Sequence, residues 1–219
     1  MRVLALDTAT AATTVALWDA SAGVELERRD DPAPGARPRH VSSLLGLVDA
    51  VLAETGTAWS QVDRIAVGVG PGTFTGLRIG VASAQALARA NGIALVGVST
   101  LESLLAGARD AHPDAEPLAV IDARRGEAFV SGVEVPLAPA QLAAHAPGRL
   151  AVGDGAIKFR YELEQAGASV PADDSGLHRV SARWHCRLGA ALESVPDSLA
   201  AVQPSYLRVP DAELTRRRF

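Results

Sequence analysis

Residues that could hold phosphate crowd one stretch, Gly68-Val69-Gly70-Pro71-Gly72-Thr73-Phe74-Thr75-Gly76-Leu77-Arg78-Ile79-Gly80. Glycines between a strand and a helix can bare backbone amides to an anion. Two familiar phosphate loops fail here on spacing. A Walker A loop would need lysine after its last glycine, yet the positions five beyond Gly68, Gly70 and Gly72 hold Thr73, Thr75 and Leu77, and Lys158 is the only lysine. A dinucleotide fingerprint begun at Gly70 and Gly72 would need glycine where Thr75 stands. Either a structural turn or an anion-binding turn of unassigned ligand remains. In both, Gly70 and Gly72 permit unusual backbone, Pro71 fixes one φ, and Thr73 or Thr75 can cap the next helix.

Metal and nucleophile chemistry find little support. His40 is followed four residues later by Leu44, and His112, His145, His178 and His185 stand in separate segments, so no ligand pair at helical spacing exists. No metal is expected, and His40 reads as a helix-start or interface residue. Gly97-Val98-Ser99-Thr100-Leu101 lacks the second glycine of a nucleophile elbow, and Ser99 reads better as a helix cap. Cys186 has no base near it in sequence. Arginines cluster at Arg37 and Arg39, at Arg124 and Arg125, and at Arg216 to Arg218. Each cluster suits a solvated surface, with local contact to RNA phosphates or an acidic partner as the functional alternative.

The elements that must position these residues follow from periodicity. Arg64 to Val69 is a nearly continuous apolar run, as in a strand covered on both faces. Strands are also expected at Val3 to Leu6, Thr14 to Trp18, Gly23 to Arg29 and 94–98, and helices at 40–54 and 76–91. The first helix spreads Val41, Leu44, Leu45, Leu47, Val48, Val51 and Leu52 over more than the ~100° needed to cover one sheet. In the second, Gly76, Gly80, Ala84 and Ala88 recur every four residues and make a ridge another backbone can approach closely. That ridge suits a foreign subunit or this chain's own sheet. A second lobe is expected to begin near residue 101, with a hairpin at 117–131, a strand at 150–152 and a helix at 184–193. The division is thus 1–100 and 101–219, with 184–219 a candidate to pack back on the first lobe.

Composition sets the remaining bounds. The 219 residues, 48% of them apolar, suffice for one large domain or two small lobes. A net charge of −4 argues against a general electrostatic grip on nucleic acid. One cysteine, no long apolar run and no signal-like start point to a soluble cytoplasmic protein without membrane contact.

Gly70-Pro71-Gly72-Thr73-Phe74-Thr75-Gly76-Leu77-Arg78-Ile79-Gly80 resembles the signature of the bacterial TsaB (YeaZ) family. Val3 to Thr8, Ile121 to Glu127 and Pro204 to Arg208 resemble it too, in the same order. The resemblance implies an α/β, two-lobed ASKHA (actin and sugar-kinase-like, ribonuclease H-like) fold with mixed sheets flanked by helices. It implies no catalytic residues of its own. The family's role is that of an accessory subunit which binds and activates the catalytic TsaD subunit, together with the ATPase TsaE. These transfer threonylcarbamoyl to N6 of adenosine 37 in tRNAs reading codons that begin with A. A nucleotide, where one binds at all, is expected only at the interface with TsaD, and tRNA only through the complex.

The interface the resemblance implies lies on the two N-terminal helices. The residues expected there are His40, Leu44, Leu47 and Val51 on the first, with Gly76, Gly80, Ala84 and Ala88 on the second. Alone, the chain is expected to cover that surface by homodimerising. The first turn, Asp7 to Thr13, has no glycine, and Asp122 to Gly126 has only a late one, where working ATPases of the fold need close phosphate approach. A small-molecule kinase or ATPase of the same fold is the competing reading. A glycoprotease-like peptidase, or an interaction module outside tRNA modification, stands behind it.

Overall fold

The computed structural model describes residues 1–33, 35–193 and 198–208. Pro34, Pro196, Pro210 and the closing Arg216, Arg217 and Arg218 lie outside the described residues. The chain begins with β1 (Arg2–Asp7), β2 (Thr13–Asp19) and β3 (Val24–Asp30), followed by α1 (His40–Glu54), β4 (Arg64–Gly70), α2 (Phe74–Asn91) and β5 (Ala94–Ser99). These strands form a five-stranded sheet in the order β3-β2-β1-β4-β5. β1, β4 and β5 run parallel, and β2 is antiparallel to both its neighbours.

After α3 (Thr100–Ala111) come β6 (Pro117–Arg124), β7 (Glu127–Val130), α4 (Pro139–Leu142), β8 (Leu150–Val152), α5 (Asp154–Lys158) and α6 (Arg160–Gln165). Their sheet has three strands in the order β7-β6-β8, with β7 antiparallel and β8 parallel to β6. Helix α7 (Ala182–Ala191) and the one-turn α8 (Ser198–Ala201) follow. Two mixed sheets flanked by helices, the first full and the second reduced, make the two-lobed ASKHA plan.

The alternation of the pleat explains the continuous apolar run at β4. Ile65 and Val67 point to one face with Leu4, Leu6, Val15 and Leu17, where Leu44, Val48 and Val51 of α1 and Val81, Ala84 and Ala88 of α2 cover them. Ala66 points to the other face with Val3, Ala5, Ala16, Val96 and Val98, under Ala182 and Cys186 of α7. Those side chains are mostly small, so α7 lies close. A Cβ at Gly189 would stand 2.6 Å from that of Ala66, and the Cys186 thiol donates to Val3 O at 3.3 Å. Burial pushes that thiol well above its ordinary pKa, so it stays protonated and inert.

Both ends of α7 are held by charges of the sign its dipole favours. Glu27 accepts from Ala182 N at 2.7 Å, and Arg64 donates to Gly189 O and Leu192 O at 2.6 and 2.5 Å.

Helix α2 starts two residues earlier than its periodicity indicates. Thr73 occupies the cap position in extended backbone but makes no side-chain capping bond. Its amide instead donates to Ala9 O at 2.7 Å. Ser99 caps α3, accepting from Glu102 N at 3.4 Å.

Candidate functional site

Asp7 ends β1 and opens the glycine-free turn that runs to Thr13. Here it is sealed. Its Oδ1 accepts from Ala9 N at 2.7 Å, and its Oδ2 accepts from Thr100 Oγ1 at 2.8 Å and lies 3.0 Å from His185 Nε2. Asp7 and His185 are both fully buried. Gly68 is required beside them, because a Cβ there would stand 1.8 Å from Asp7 Oδ2. His185 Nδ1 is 3.2 Å from Ser181 O, which fixes the ring, while its buried Nε2 faces Asp7 without a hydrogen bond of its own. Ser103 Oγ likewise donates to Ser181 O, at 3.1 Å.

The matching position in the second lobe is Asp122. Its Oδ1 takes Lys158 Nζ at 2.6 Å and Arg124 N at 2.9 Å, while Asp122 N donates to Asp154 Oδ1 at 3.0 Å. Asp154 is held above the ordinary carboxylate range, chiefly by burial. Arg124 and Arg125, between Asp122 and Gly126, both take positive φ, which costs non-glycine residues energy.

The glycine-rich loop turns the Thr73 amide and its closest approaches inward. Thr73 N is spent on Ala9 O, and a Cβ at Gly72 would lie 2.4 Å from that oxygen. Gly70 has φ +105, and a Cβ there would sit 3.2 Å from Ser205 O. Pro71 is buried. The anion-binding alternative therefore loses the Thr73 amide.

The late Pro204 to Arg208 segment straps this loop to the second lobe. Ser205 N donates to Val69 O at 2.7 Å, and the Tyr206 and Phe74 rings lie 4.9 Å apart. Arg208 donates to Ala123 O at 2.8 Å and pairs with Glu127. With Thr8 Oγ1 donating to Gly76 O at 2.7 Å, the four stretches singled out in the sequence meet in one place. Nothing in their spacing along the chain foretells that meeting.

The interface residues expected on α1 and α2 need correction. Leu44, Val51, Gly76, Gly80, Ala84 and Ala88 are buried, and Leu47 is half-buried on the same core. The ridge of small residues serves this chain's own β1 turn. A Cβ at Gly76 would stand 2.0 Å from Thr8 O, and one at Gly80 2.4 Å from Thr8 Oγ1. His40 also faces inward, only 5% exposed, with Nδ1 2.9 Å from Thr13 Oγ1. Burial lowers its pKa against the opposing pull of Asp7 and Asp30.

What the two helices leave in water is a neighbouring set. Val41 is 79% exposed, Leu45 53% and Phe74 41%, with Thr75 and Arg78 exposed beside half-buried Ile79. Arg78 stacks over the Phe74 ring at 5.1 Å. Between the starts of the two helices and Arg124 runs a groove of about 720 Å³, lined by Arg37, Val41, Thr73, Thr75 and Ile79. Among the described residues, no three His, Cys, Asp or Glu side chains gather as a metal set, and no helix is long and apolar enough to cross a membrane.

Comparison with known proteins places this geometry. A family model described as "TsaD: tRNA N6-adenosine threonylcarbamoyltransferase" matches residues 34–148. The Escherichia coli K12 tRNA threonylcarbamoyladenosine biosynthesis protein TsaB is 40% identical over 132 residues, covering 59% of this chain and 53% of that one. The chain spans about half the length of the curated relatives it matches. Among solved structures, YeaZ from Pseudomonas aeruginosa superposes with a TM-score of 0.70 at 30% identity, over 86% of this chain and 90% of that one. A second, described as an uncharacterized protein with similarity to peptidase YeaZ from Pseudomonas aeruginosa, reaches 0.76 at 32% identity, over 94% and 99%. With the motif order, the sheet order and these matches in agreement, the chain belongs to the TsaB (YeaZ) family.

Proposed function

We propose that this chain is a non-catalytic accessory subunit in threonylcarbamoyl transfer to N6 of adenosine 37, in tRNAs that read codons beginning with A. It binds and activates a TsaD-like catalytic subunit, works alongside a TsaE-like ATPase, and meets tRNA only within that assembly. It acts in the cytoplasm, holds no cofactor of its own, and pairs with a second copy when alone. The chain divides near residue 100, and the first lobe offers the outer side of α1 and α2 to the partner.

The observation that carries the reading is the burial of Asp7, which accepts from Ala9 N and Thr100 beside the buried His185 ring. A carboxylate buried and tied in this way is not presented to a metal-bound phosphate. The exposed Val41, Leu45 and Phe74 support the interface, since neighbouring apolar side chains left in water mark contact surfaces. The peptidase description of one structural neighbour gains no support here, because Cys186 and His185 are both fully buried.

Two measurements test the proposal. Co-purification with the TsaD-like subunit should succeed for the native chain and fail for the Val41→Asp, Leu45→Asp double variant. Calorimetric titration of the lone chain with ATP and Mg²⁺ should give no saturable heat. Tight binding there would return the kinase reading.

A further inference from the structure

A second pocket lies where α3 meets the Gly176–His178 turn and the first turn of α7, and it shares no lining residue with the groove at α1 and α2. It measures about 310 Å³, the size that suits a small organic molecule. A missing side chain shapes its wall. A Cβ at Gly107 would stand 2.8 Å from Trp184 Nε1, so glycine lets that indole pack closely on α3 as one wall. The Arg187 guanidinium stacks on the same ring at 4.8 Å, which holds it in place.

Three of the polar groups around the pocket are unspent. Among the described residues, the Trp184 N–H, the Asp110 carboxylate and the Arg179 guanidinium have no hydrogen bond or ion pair. Arg179 feels Asp31 only as a longer-range charge, and Arg183 is paired loosely with Glu27 at 3.5 Å. Leu104 and Leu177 supply the apolar lining. One carboxylate and one unpaired guanidinium at the rim of a small, partly apolar pocket ask for a ligand with both charges. A phosphate ester would meet Asp110 as a repulsion.

We propose that this pocket binds a free α-amino acid with an apolar side chain. The ligand carboxylate pairs with Arg179 and its ammonium with Asp110. Its side chain lies against Trp184, Leu104 and Leu177.

Titration of the whole chain with L-leucine, followed by tryptophan fluorescence and by melting temperature, tests this directly. The expected result is a saturable change, with the fluorescence part absent in Trp184→Phe. 4-Methylpentanoate, which lacks the ammonium, and 3-methylbutylamine, which lacks the carboxylate, should each bind at least about tenfold more weakly. Asp110→Asn and Arg179→Gln alter exposed groups and leave the fold intact, and each should weaken L-leucine by a similar factor. No saturation up to about 10 mM with L-leucine, L-methionine or L-phenylalanine overturns the proposal. Equal binding of the two analogues, or unchanged binding in both variants, overturns it as well.

Discussion

The two sides of α2 answer a single added methyl group in opposite ways. On the inner side a methyl at Gly76 would press to 2.0 Å from the Thr8 carbonyl, while on the outer side Ala82 and Ala86 already carry theirs into solvent. Small residues therefore mean two things on one helix. Inward they set how near the helix comes to the β1 turn; outward they leave a low surface around Phe74 and Ile79. The inner side builds the fold, and the outer side is free to meet a partner.

The strongest way to break that contrast is Gly76→Val. Overpacking against backbone cannot be relieved by rotamer changes, so a loss on the order of 4 kcal/mol and a melting temperature lower by roughly 10 °C are expected. A variant that melts like the native chain would show that the ridge is not packed as described. Next is Asp7→Ala, which leaves Thr100 Oγ1 and Ala9 N without their buried acceptor. A cost of about 3 kcal/mol is expected by denaturant unfolding, with no ATP turnover to lose. On the outer side, the Val41→Asp, Leu45→Asp double variant should lower partner affinity by at least about tenfold, read by calorimetry. Its melting temperature should move by less than about 2 °C.

The smallest effect concerns pH. Because burial lowers the pKa of His40 from 6.5, the unfolded chain takes up a proton there before the folded one does. The stability held while His40 is neutral is therefore lost as pH falls below about 6.5 toward the folded pKa. His40→Gln should shrink the difference in melting temperature between about pH 7.5 and 5.5, and an unchanged difference would place the imidazole in solvent.

Much of the first lobe was legible in the sequence. The alternation at β4 and the four-residue ridge of α2 report burial, and the arc of α1 is wider than its sheet covers, because period and volume are local properties. Which partner fills a surface is not local. Leu44 and Leu45 are equally apolar neighbours, yet one is buried and the other lies in water, a choice set by how α1 crosses β2 and β3. The ridge likewise announced close approach without saying to what. The sealing of Asp7 was invisible because His185 comes from the far end of the chain, and a histidine next to a cysteine gives no sign of a distant carboxylate. The Trp184 pocket was hidden for the same reason, being assembled from α3 and α7.

The strap from Pro204 to Arg208 carries a mechanical consequence. Here one short ribbon is buttoned to Val69 on one half and to Ala123 on the other, so gaping must tear both fastenings at once. A push at Phe74 is thereby handed through the stacked Tyr206 and the Arg208 fastening to the opposite hairpin.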